Sequence, residues 1–251
     1  MASPTSVSTP PCTLLDWDSR FFGFRIGRVT SERLTPENVS SVLSWCEQEE
    51  IKCLYFLANS DDAGTVRLAE GCGFHLVDIR ITLRRSLTGD GDFGGTQLAG
   101  GVRFATAADI PALRAIAAKS HHDTRFYTDT GFPPALADEL YATWIEKSCQ
   151  GMADVVLVVT DGDRSAGYAT CQLEVGGCGR IGLMAVDGEA RGHGMGSALI
   201  DGAISWFTGE DVHTVTVVTQ GKNAAAQRLY QRSGFLTHSL QLWYHRWFPE
   251  R

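Results

Sequence analysis

The chain has 251 residues, 43% hydrophobic and 20% charged, with a formal net charge of −7 and a pI near 5.5. This is a globular composition, long enough for one large domain or two smaller ones. The acidic balance and the lack of any Lys/Arg cluster argue against a nucleic-acid or anionic-membrane surface, and no apolar run reaches the ~18 residues that span a bilayer.

The opening MASPTSVSTPP, residues 1–11, has neither the basic start nor the apolar core of a signal peptide and reads as a disordered tail. LLDWDSRFFGFRIGRVT follows as an extended entry. TPENVSSVLSWCEQEE predicts a helix with Thr35 as N-cap and Val42, Leu43 and Cys46 on one face. KCLYFLAN is a buried strand, DDAGTVRLAEGCG a short helix ending at glycine, and FHLVDIRITLRR a closing strand. The stretch SLTGDGDFGGTQLAGG holds six glycines and no apolar period. It reads as a linker over 87–101, dividing the chain into a domain at 12–86 and another at 102–251.

The second domain opens with VRFATAADIPALRAIAAKS, a strand and then a helix with Pro111 in its first turn. HHDTRFYTDTGFPP is a loop and ALADELYATWIEKSCQG a helix. DVVLVVTDGDRSAGYATCQLE is a hairpin about a Gly-Asp turn, and RIGLMAV is a strand. SALIDGAISWF is an amphipathic helix, VHTVTVVTQ a strand, NAAAQRLYQRSG a helix and FLTHSLQLWYHRW the last strand. An internal echo links the domains: RLAEGCGF at 67–74 resembles RLYQRSGF at 228–235, with Ala69 where the second copy has Tyr230. The similarity is either chance between two helix-Gly-strand junctions or the trace of a duplication.

The cysteines at 12, 46, 53, 72, 149, 171 and 178 are odd in number and never C-x-x-C. They form no disulfide framework and no zinc site, which suits free thiols in a reducing cytoplasm, and no metal is expected.

Residues 189–200, EARGHGMGSALI, place Gly192, Gly194 and Gly196 directly before an apolar helix pattern. An ordinary loop needing glycine conformers is one reading. A dinucleotide fingerprint fits poorly, because the spacing is G-x-G-x-G and a hairpin precedes it. The third reading is a pyrophosphate cradle. Successive N–H groups at a helix start face an anion, the helix dipole favours it, and Arg191 adds a cation.

RGHGMG at 191–196 fits the R/Q-x-x-G-x-G/A signature of the GNAT superfamily of N-acetyltransferases. RIGLMAV before it and NAAAQRLYQRSGF after it sit where that superfamily has its cofactor strand and its Asn-to-Tyr helix. Over 102–251 the chain resembles this family. LDWDSRFFGFRIGRV, DIPALR…RFY and YATWIEKS look like its branch acting on dTDP-linked 4-amino-4,6-dideoxy sugars. The resemblance implies an α/β fold with a mixed sheet, preceded by a smaller, truncated GNAT-like domain. It implies acetyl-CoA as co-substrate, a nucleotide-linked amino sugar as acceptor, and no nucleic acid or membrane partner.

Residue by residue, it implies that the main chain of Met184, Ala185 and Val186 pairs with the pantetheine arm. The amides of Gly192, His193, Gly194, Met195, Gly196 and Ser197 would take the pyrophosphate beside Arg191. Asn223 would contact the pantetheine, though it equally serves as a helix N-cap. Tyr230 would face the sulfur as general acid, though Ala226, Leu229 and Tyr230 also share a core face.

For the base, Glu174 late in a flanking strand and His122 in the loop are candidates, beside His121 and Asp123, with a water chain as the alternative. Arg125 suits a diphosphate, and Phe126, Tyr127 and Phe132 suit a base or sugar, unless they anchor the loop to the core. Trp17, Phe21 and Phe22 either wall the acceptor or pack between domains. The aromatic end LQLWYHRWFPE either forms a homodimer interface or caps a sheet. Rival functions are acetylation of another small amine or a peptide amine, and a non-catalytic CoA-binding module.

Overall fold

The computed structural model describes residues 10–87 and 101–249. The expected tail and linker therefore lie almost wholly outside the described residues. The chain packs as two compact units. One holds the described residues up to Ile79 together with Gln241 onward, and the other runs Arg80–Leu240.

In the first unit, β1 (Cys12–Leu14), β2 (Ile26–Val29), β3 (Cys53–Asn59) and the distal part of β10 (Leu236–Trp247) lie side by side in that order. β2 and β3 are parallel, and the outer pairs are antiparallel. Helices α2 (Pro36–Gln48) and α3 (Ala63–Gly71) cover it through Val42, Cys46 and Ala69, against Leu54, Phe56, Ala58 and Tyr244. α2 starts as expected, with Thr35 and Asn38 capping each other's amides.

The expected extended entry is wrong at its centre, where residues Asp16–Phe22 form a helix, α1. Trp17 and Phe21, one turn apart, stack at 5.1 Å, and Gly23 closes the helix with φ 82°. The i, i+4 ring contact favours the helix over an extended segment.

In the second unit the order is the distal part of β4 (His75–Ser86), β9 (Thr214–Gln220), β8 (Cys178–Val186), β7 (Arg164–Glu174), β6 (Val155–Asp161) and β5 (Val102–Phe104). Only β8 and β9 are parallel, so the sheet is mixed. On one face, α7 (Met195–Gly209) buries Leu199, Ile200, Ala203, Ile204 and Phe207 against Ala169 and Cys171 of β7. Each of the Leu, Ile and Phe side chains among them contributes ~1.5–3 kcal/mol of apolar burial. Strand alternation turns Tyr168 the other way, to the end of α4 (Ile110–Ser120), which packs with α6 (Pro134–Lys147). α4 is anchored at its start by Asp109, which accepts both Nη groups of Arg103 at 2.7 and 2.8 Å and the Ser165 hydroxyl at 2.6 Å.

The expected division at the glycine-rich stretch differs from the packing. The last seven residues of β4 pair with β9, and the last seven of β10 pair with β3. The two echo segments close alike. Phe74 N–H donates to Ala69 O, and Phe235 N–H to Tyr230 O, both at 3.0 Å, after Gly73 at φ 76° and Gly234 at φ 79°.

Candidate active site

β8 and β9 pair only from Cys178↔Thr214 to Ile181↔Val217, although β8 continues to Val186 and β9 to Gln220. Where the pairing stops, β8 carries a bulge. Ala169 opposes Met184 but Cys171 opposes Ile181, so Thr170 faces both Gly182 and Leu183. The fully buried Thr170 hydroxyl accepts the Leu183 N–H at 2.8 Å, which satisfies the amide that the bulge releases. A Cβ on Gly182 would lie 2.7 Å from that hydroxyl oxygen. A lone glycine inside the apolar run RIGLMAV was the available sign of this bulge.

A cleft of about 610 Å³ opens beyond the bulge. Met184, Ala185 and Val186 of β8 line it, with Gln220 at the end of β9. Arg191, Gly192, Gly194, Met195, Gly196 and Ser197 form its next wall, and Asn223, Leu229 and Tyr230 of α8 (Ala224–Arg232) the one beyond. Of the expected coenzyme-binding residues, only His193 falls outside the lining; it is exposed.

Helix α7 starts at Gly194, which has φ 81° and no side-chain cap. Its first intrahelical bond runs from Ala198 N–H to Gly194 O, so the amides of Met195, Gly196 and Ser197 have no acceptor within the helix. A Cβ on Gly192, at φ 84°, or on Gly194 would meet open space. Gly196 is different: a Cβ there would come within 2.9 Å of Leu229 Cδ2. Its job is the close seating of α7 against α8. Arg191 Nε donates to Val186 O at 3.2 Å, tying the cradle to the strand.

Asn223 is the N-cap of α8, its Oδ1 accepting Ala226 N–H at 3.0 Å. Tyr230 is buried, with its ring 6.0 Å from Phe235 in a T-shaped contact. Its hydroxyl points at the Met184 thioether, 3.8 Å away. Burial pushes the phenol above its ordinary value, so it carries its proton throughout the neutral range.

The remaining expectations fare differently. Glu174 is exposed, ion-paired with Arg180 at 2.7 Å, and four residues past Thr170, about 13 Å along the strand. His122 is exposed, 3.7 Å from Asp138 Oδ1, and absent from the cleft. Its neighbour His121 lines the cleft instead, with Ser120 and Asp123. The loop after α4 contains a short helix, α5 (Arg125–Thr128), that turns Phe126 into the core against Phe132 and Trp144. The Arg125 guanidinium lies 4.3 Å over the Phe126 ring, and the Tyr127 hydroxyl donates to Asp138 at 2.5 Å. None of Arg125, Phe126 and Tyr127 lines the cleft, so these residues anchor the loop. Trp17, Phe21 and Phe22 belong to the first unit, where Phe22 is buried. Among the described residues no group of three or more His, Cys, Asp and Glu side chains could hold a metal, and no helix is long and apolar enough to cross a membrane.

A sequence model of the Acetyltransferase (GNAT) family matches residues 116–235. The chain is 30% identical to dTDP-fucosamine acetyltransferase of Escherichia coli, over 97% of this chain and all of that one. It is 32% identical to mycothiol acetyltransferase of Beutenbergia cavernae, over 72% of this chain but 63% of that protein's length. Its fold is similar to a GCN5-related N-acetyltransferase from Sphaerobacter thermophilus, with a TM-score of 0.65 over 94% of this chain and 76% of that one, at 18% identity.

Proposed function

The chain belongs to the acetyltransferase (GNAT) family of N-acetyltransferases, and from that premise we propose that it moves the acetyl group of acetyl-CoA onto the amine of a nucleotide-linked amino sugar of the dTDP-4-amino-4,6-dideoxyhexose type. The observation that carries the reaction is the buried, protonated Tyr230 phenol, whose partner in the cleft is a thioether, a weak acceptor. Support for the acceptor is the similarity to the Escherichia coli enzyme along the whole of both chains. The mycothiol enzyme's similarity favours a different amine and makes it the second reading.

The cleft fits the coenzyme on its own evidence. Uncapped amides at the start of α7 and the αL glycines before it give a diphosphate direct access to main-chain donors. β8, released from β9, offers its main chain near Met184 and Val186 to an extended arm. Asn223 keeps its Nδ2 for the same arm while Oδ1 caps α8.

In the reaction a neutral amine attacks the thioester carbonyl; the C–N bond forms and the C–S bond breaks. A main-chain N–H of β8 near Val186 steadies the developing oxyanion. Tyr230 gives its proton to the departing sulfur and regains one from solvent. Neither Glu174 nor His122 lines the cleft, and the amine's proton leaves through water, with the Asp123 carboxylate on the cleft wall as its nearest alternative acceptor. We also read the first unit as a truncated copy of the second, from the identical closures at Phe74 and Phe235. A cytoplasmic setting suits the seven cysteines, all free thiols.

The test is thiol release from acetyl-CoA with a dTDP-4-amino sugar, an aminoglycoside, a polyamine and a peptide amine in parallel. The sugar nucleotide should turn over best. Better turnover of any other amine would reject this acceptor, and no release with any would reject the reaction. Tyr230→Phe should lower kcat by ~10²-fold or more, leaving acetyl-CoA binding nearly unchanged.

A further inference from the structure

His121 has no place in the chemistry above, yet it is among the most firmly held side chains of the cleft. Its ring stacks on Tyr141 at 4.6 Å and 26°. Its Nε2 lies 2.8 Å from the hydroxyl of Tyr168, a side chain with no solvent exposure. Among the described residues that imidazole is the hydroxyl's one hydrogen-bond partner. A buried O–H that fails to donate costs ~1–3 kcal/mol. Tyr168 therefore donates, Nε2 accepts, and the imidazole proton sits on Nδ1. Nδ1 makes no hydrogen bond within the described residues, and His121 lines the cleft.

The position of His121 decides what this N–H serves. The coenzyme's walls are β8, the glycine turn, α7 and α8. Ser120, His121 and Asp123 come from the end of α4 and the loop after it, a separate wall. Within the proposed reaction, and resting on it, we infer that His121, fixed by Tyr168 in the Nδ1–H form, donates a hydrogen bond to an uncharged oxygen of the acceptor, a sugar hydroxyl. His121 is then an acceptor-binding residue and Tyr168 a positioning residue. Beside the Ser120 hydroxyl, the wall offers a ring N–H on His121 and a carboxylate acceptor on Asp123, a pair that a sugar hydroxyl can satisfy at once. A cationic polyamine gains nothing from the donor.

Burial, with His122 and Arg191 nearby, lowers the His121 pKa to about 4. The ring is thus neutral wherever an amine nucleophile is usable, and with Nε2 occupied it is no base.

Two measurements test this. Long-range ¹H–¹⁵N spectra of the full chain with labelled histidine, assigned through His121→Phe, should show His121 neutral and Nδ1-protonated from pH 8 to pH 5. Tyr168→Phe should release it into mixed tautomers. An Nε2–H ring, or a cation already at pH 6, overturns the assignment. In kinetics, His121→Phe should raise the acceptor KM by roughly five- to tenfold, the size of one neutral hydrogen bond. The acetyl-CoA KM should hold, and Tyr168→Phe combined with His121→Phe should cost no more than His121→Phe alone. An unchanged acceptor KM, or a loss confined to kcat, refutes the role. Should the wild type acetylate no amino sugar, the proposed reaction fails, while the spectra still judge the tautomer.

Discussion

Replacing Gly194 by alanine should weaken coenzyme binding, because φ 81° lies in the left-handed region that costs an L-residue ~1–2 kcal/mol. The helix start would then turn its amides aside, raising the acetyl-CoA Kd by roughly tenfold in calorimetric titration. Gly196→Ala should act on stability instead, and by no more than about 1 kcal/mol in denaturant melts, because the added Cβ meets only the tip of the flexible Leu229 side chain and alanine favours a helix. The spacing of the three glycines was plain in the sequence, but the division of labour was not, since the Leu229 contact is tertiary. The same limit applies to the adjacent histidines. Successive residues at a helix end differ by ~100° in direction, so composition cannot say that His121 rather than His122 enters the cleft. Tyr230 stood out through the family resemblance alone, since by spacing it reads equally as a core residue on the face shared with Ala226 and Leu229. With its phenol raised by burial, Tyr230 should cause no fall in kcat between pH 7 and pH 10; a fall that vanishes in Tyr230→Phe would contradict this.

Among the elements, the bulged β8 has the most to lose from a small change. Thr170→Val keeps the volume and deletes the hydroxyl that takes the Leu183 N–H. The expected cost is ~1–3 kcal/mol for a buried amide left unsatisfied, with kcat falling as the strand re-registers and the cleft narrows. A variant that melts like the wild type at full activity would show that the hydroxyl is idle. α4 depends similarly on Asp109. Its carboxyl is held well below the usual range, first by Arg103. The stability it confers is present above pH ~4, the unfolded value, and fades as pH falls below that. Asp109→Asn should flatten that part of the acid-unfolding curve. Strands and helices of the second unit were readable from their periods. The short helices Asp16–Phe22 and Arg125–Thr128 were not, because aromatic stacking and core anchoring formed them against local expectation.

At the scale of the molecule, the sequence suggested two domains laid end to end, while the strands are shared out differently. β4 leaves the first unit to pair with β9, and β10 leaves the second to pair with β3. Long-range pairing of this kind has no local signature, since only the partner's register defines it. A fragment starting at residue 102 would expose the whole of β9 as an edge, and it should precipitate or self-associate on a sizing column. Residues 10–87 supplied in trans should restore a soluble particle. Cutting the gene at the glycine-rich stretch would therefore yield two sticky halves rather than an enzyme and a dispensable appendage. The strand that ends residues 10–87 is the selvedge of the sheet that carries the cleft, and a truncation that removes it takes the hem from β9 along its full length.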